Sequence, residues 1–164
     1  MASTQTQTRT HEDFVAFMVD YTAFLGRMRA DESDKLKALG SKELSRIEHS
    51  ITVAQANAKQ LENYERRREA LQTEAGYEGM TFRQVIMHAP KEEQDRLWQL
   101  FTRFESNVAE IRFYNDKSMT VARDNMMEKD PASMIPGLAG KGSNPYERIR
   151  EQQQGGSNIL ETKA

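Results

Sequence analysis

From Phe14 onward the apolar residues of this chain recur at intervals of three and four. Phe14, Phe17, Met18, Tyr21, Phe24, Leu25 and Met28 form the first run. That interval is the repeat of an amphipathic helix; a half-buried strand would alternate at every second residue. Thr10, with Asp13 three residues on, predicts the helix start. The stripe thins after Met28 and returns at Leu36 and Leu39. Gly40 and Ser41 then predict a break, the glycine closing one helix and the serine capping the next. A continuous helix with a mild defect is the competing reading.

A second helix follows on the seam Leu44, Ile47, Ile51, Ala54, Ala58 and Leu61, with Tyr64, Arg68 and Leu71 extending the face. The spacing is that of a coiled-coil seam. Gly76 and Gly79 predict its end, with Tyr77 and Glu78 as a short exposed link. Thr81 and Gln84 then form a capping box for a short helix over TFRQVIMHA, with Phe82, Val85 and Ile86 on its apolar edge. This segment is expected to plug the end of a bundle. Pro90 opens the last long helix, which reaches about Glu128, and Glu92 and Glu93 suit the dipole of its first turn. Its seam reads Leu97, Phe101, Phe104, Val108, Ile111, Asn115, Ser118, Ala122 and Asn125. The first half is apolar. The second half carries amides and a hydroxyl on the packing line.

The predicted fold is therefore all-α. It is an elongated antiparallel bundle, coiled-coil-like, of three long helices and a short connecting one. Residues 1–10, rich in Ser, Thr and Gln, are expected to be disordered, and residues 11–129 to form the helical domain. Residues 130–164 hold three of the four prolines and five of the nine glycines and are expected to be a flexible tail.

Composition sharpens this picture. Only 37% of the 164 residues are hydrophobic and 29% are charged, with a mean hydropathy of -0.80. So polar a chain must keep its apolar residues in narrow stripes, as long helices do. Twenty-three basic residues against 25 acidic ones give no general attraction for nucleic acid or anionic lipid. The run Arg66, Arg67 and Arg68 is interleaved with Glu62, Glu65 and Glu69 and reads as an ion-laced solvated face. There is no cysteine, so disulfides and thiolate chemistry are excluded and a reducing, cytoplasmic setting is expected. No apolar run is long enough to span a membrane, and MASTQTQTRT does not have the pattern of a secretory signal.

Catalytic chemistry has little support. His11, His49 and His88 stand far apart and read as surface residues without metal-ligand spacing. Glu92, Glu93 and Asp95 are explained by helix capping. Gly140-Lys141-Gly142-Ser143 departs from a phosphate loop in spacing and context. We expect no enzyme activity, no cofactor and no metal. The remaining feature is surface suited to another chain. Phe101, Phe104, Val108, Ile111 and Tyr114, followed by a polar-interrupted seam with methionines, offer a line on which a partner helix could lie. The same residues could equally be the core of the bundle.

The stretch from Glu92 to Asn125, with EIRFYNDKSMTVA, resembles the C-terminal helix of flagellar export chaperones of the FlgN type. That family carries an asparagine pair there, N-x-x-N; Asn115 matches the first and Ser118 replaces the second. KQLENYERRREAL resembles the family's second helical stretch, and TFRQVI its short segment after the loop. The resemblance spans about residues 14–128. It implies a cytoplasmic helical chaperone that works without ATP. Such a protein binds helical termini of hook–filament junction proteins (the hook-associated proteins), prevents their premature assembly and delivers them to the type III export apparatus. Carried onto this chain, it implicates Phe104, Val108, Ile111, Asn115, Ser118 and Met119 in cargo binding. Two readings stand beside it: a self-associating coiled-coil protein, and an adaptor acting through its C-terminal tail.

Overall fold

A computed structural model describes residues 2–129; the expected tail, 130–164, lies outside the described residues. Four helices account for nearly all of it: α1 (Ala2–Ser41), α2 (Leu44–Glu74), α3 (Phe82–His88) and α4 (Lys91–Lys129). The chain is an all-α, elongated bundle, with no strand among the described residues. α1 spans about 60 Å at 1.5 Å per residue and packs against both α2 and α4, while α3 packs on α4.

Side-chain bonds set the directions. Tyr21 meets Glu65 and Asp31 meets Asn57, so α1 and α2 run antiparallel. His11 meets Glu93, Thr22 meets Asn107 and Leu39 meets Asn125, so α4 runs back alongside α1 in the same sense. We call the end holding His11, Tyr77 and α3 proximal, and the end holding Leu39, Leu44 and Met126 distal.

The proximal half is a closed aromatic core. Phe14, Met18, Tyr21, Leu25 and Met28 of α1 are buried against Leu61 of α2 and Leu97, Phe101 and Phe104 of α4. Tyr21 lies edge-on to Phe104 and stacks on Tyr64. Phe82 of α3 stacks on Phe101 with ring centroids 4.2 Å apart, so the short helix closes this end as its apolar edge predicts. The Thr81–Gln84 capping box is present in both directions.

Several local expectations are corrected. α1 begins at Ala2, where a disordered segment was expected. Residues 2–9 are exposed, and the Thr6, Thr8 and Thr10 hydroxyls donate to carbonyls three or four residues earlier instead of capping. Extending an established helix costs far less than nucleating one, so a polar run can continue it. The break falls two residues after Gly40. Lys42 takes the left-handed conformation, φ 59°, and Glu43 is the N-cap of α2 without a side-chain cap bond. Gly76 and Gly79 do adopt positive φ, 83° and 71°, but Tyr77 between them is buried rather than exposed. Its ring packs on Phe14 and edge-on to His11.

Candidate functional site

Two polar networks tie the proximal core together, and both involve residues that read as surface positions. His11 is buried. Its Nδ1 lies 2.6 Å from the Tyr77 hydroxyl and its Nε2 2.8 Å from Glu93 Oε2. Each ring nitrogen thus has a partner, the hydroxyl on one side and the carboxylate on the other. Burial raises the Tyr77 pKa, and Glu93 adds to the effect. Arg68 is also buried, unlike Arg66 and Arg67, which are exposed. Its guanidinium donates to Glu65 at 2.7 Å and to Gln72 at 2.6 Å. Gln72 in turn donates to the Tyr77 and Met80 carbonyls, and Glu65 accepts from the Tyr21 hydroxyl, whose pKa burial holds well above its ordinary value. These networks are fully partnered cross-ties. Helical periodicity places Arg68 on the packing face, but the carboxylates around it look the same as those of a solvated helix. His49 and His88 are exposed as expected.

Most of the expected partner-binding line is inside the bundle. Phe101, Phe104, Val108 and Ile111 belong to the core, and Asn115 and Ser118 are buried behind them. Tyr114 is half-buried, and Met119 is 41% exposed. The first six are therefore not a surface that the free chain offers. Asn115 and Ser118 sit at a polar step in the α1–α4 packing. Lys35 Nζ donates to Asn115 Oδ1 at 3.3 Å and pairs with the buried Glu32 carboxylate at 2.6 Å. Asn115 Nδ2 faces Met119 Sδ at 3.8 Å. The Ser118 hydroxyl is buried without a hydrogen-bond partner among the described residues, a cost of about 1–3 kcal/mol.

Beyond this step the bundle opens. No residue of α2 between Leu44 and Gln60 is buried; Leu44 is 69% exposed and Ile51 45%. An open cleft of about 470 Å³ lies where α2 starts and α4 ends. Leu39 of α1 lines it together with Ile47 and Ile51 of α2 and Ala122 and Met126 of α4. Asn125 Nδ2 donates to the Leu39 carbonyl at 3.0 Å, which ties α4 to the end of α1. Lys42 Nζ and Glu128 Oε2 pair at 2.6 Å, both exposed, joining the α1–α2 turn to the last turn of α4. Lys42 holds the Glu128 carboxyl below the usual carboxylate range.

The cleft offers apolar contact and little chemistry. Among the described residues no group of three or more His, Asp and Glu side chains is placed to hold a metal ion, and no helix is long and apolar enough to cross a membrane. Apolar positions continue past the cleft on both helices. Met119 lies one turn before Ala122, and Leu44 and Met127 are exposed near its outer end. Compared with known proteins, the chain matches no family model, no curated protein and no solved structure. The fold thus defines the class, an all-α bundle whose described residues leave the distal end open.

Proposed function

We propose that this chain is a non-enzymatic chaperone that holds an amphipathic helix of another protein in the distal cleft. In its specific form it is a cytoplasmic flagellar export chaperone of the FlgN type, keeping hook–filament junction proteins unassembled until export. The observation that supports the reading is the apolar cleft that the described residues leave open between the start of α2 and the end of α4. Ile47, Ile51 and Ala54 step by four and three on one side, and Met119, Ala122 and Met126 by three and four on the other. Two such ladders accept a third helix by knobs-into-holes packing. Methionine adapts to irregular apolar partners. Such binding needs no nucleotide, cofactor or reacting group. The resemblance over residues 14–128 supplies the cargo class, and the cleft moves its contact from the closed seam to that seam's continuation.

The test is binding of the purified full-length chain to helical terminal segments of hook–filament junction proteins, measured by calorimetry. Ile51→Asp places a charge in the cleft and leaves the closed core untouched. It should weaken binding by at least about tenfold, equivalent to about 1.4 kcal/mol, with unchanged helicity. Absence of binding by the wild-type chain, or unchanged affinity in Ile51→Asp, defeats the proposal.

A further inference from the structure

The distal cleft lies where the described chain stops. α4 ends at Lys129, one residue beyond Glu128 at the cleft, and residues 130–164 follow. Within them, residues 132–140 read ASMIPGLAG, an uncharged run carrying Met134, Ile135 and Leu138. We propose that this run of the same chain docks in the distal cleft, setting Met134, Ile135 and Leu138 against Ile47, Ile51 and Met126.

Reach is the first argument. The cleft extends over Ala122–Glu128 of α4, about 9 Å of helix. Met134 is five residues past Lys129 and can lie up to about 17 Å from it. The run therefore reaches every part of the cleft by folding back one short step. Direction is the second. Pro131 removes a backbone donor and restricts Asp130, which disfavours continuing the axis of α4. Chemistry is the third. The cleft is apolar apart from Asn125 and the Lys42–Glu128 pair, and an uncharged run buries there without stranding a charge. A segment on so short a tether is held at an effective concentration in the mM range, so even weak apolar contact fills the cleft. An incoming helix would have to displace it. The cis contact itself stands on the cleft and the tether alone, whatever external partner the protein has.

The absence of cysteine gives a clean test. Two full-length variants are compared in dilute, mildly oxidising solution: Ile51→Cys with Ile135→Cys, and Asp124→Cys with Ile135→Cys. Asp124 is exposed on the last turns of α4, and Ile135 reaches it by the same tether after Lys129 that reaches Ile51. Without docking, one tether serves both pairs and the two should close at comparable rates. Docking should favour the cleft, and the Ile51–Ile135 pair should form its intrachain disulfide at least about tenfold faster, the tether being spent on one face. A comparable or slower rate overturns the proposal. Interchain disulfides also overturn it and give the cleft to a second copy. As a second measurement, Met134→Asp with Ile135→Asp in the full chain should speed amide hydrogen exchange over residues 44–54. Unchanged exchange there counts equally against the docking.

Discussion

Phe104 tests whether the α4 seam is closed. Its side chain is 1% exposed, edge-on to Tyr21 at 4.9 Å and to Phe82 at 5.2 Å between ring centroids. Phe104→Ala removes the ring that joins α1, α3 and α4, and neither neighbour can close the gap without losing its own contacts. Truncating a buried phenylalanine costs about 3–5 kcal/mol, a large share of the about 5–15 kcal/mol that holds a domain together. At about 3–5 °C per kcal/mol for a domain of this size, the melting temperature should fall by about 10–20 °C. Urea unfolding followed by far-ultraviolet circular dichroism measures the loss directly, with an unchanged slope showing that the unfolded state is not altered. Met119→Ala, at an exposed position, should cost no more than about 0.5 kcal/mol. A loss below about 1 kcal/mol for Phe104→Ala, with partner binding abolished, would refute the reasoning. The apolar line of α4 would then be available along its whole length, and the core would not be closed as described.

Two further outcomes follow from local environments. Burial raises the Glu105 carboxyl to about 7, so between about pH 4.5 and about pH 7 the folded state holds a proton that the unfolded state has lost. Stability should therefore fall as pH rises through that window and level off above it; Glu105→Gln should flatten this slope in a series of urea titrations, and an unaltered slope would exclude Glu105 as its source. Gly76 sits at φ 83° with nothing within 4 Å of an added Cβ, so Gly76→Ala should cost about 1–2 kcal/mol from backbone strain alone; a neutral urea midpoint would show that the turn relaxes.

Much of the architecture was legible in the chain itself. The three-and-four spacing determined that the elements are helices, roughly where they start and stop, and which side of each is apolar. Thr81, Gln84 and the positive-φ glycines determined the proximal turn, because a capping box and a left-handed residue are local properties of a few neighbouring residues. Only the tertiary structure decided which partner each apolar face meets. The seams Leu44–Leu61 and Leu97–Asn125 follow the same repeat, yet one is open over its first half and the other is closed to Ser118. A repeat records that a face is apolar but not whether another helix lies over it. His11 and Arg68 show the same limit. Their partners Tyr77 and Glu93, and Tyr21 through Glu65, come from other elements of the fold, and burial of a polar group is favourable only once those partners are in place. The distal cleft arises because α3 fills the space beside α4 at one end of the bundle while nothing among the described residues fills the other, a consequence of helix lengths and packing directions that no single stretch of sequence carries.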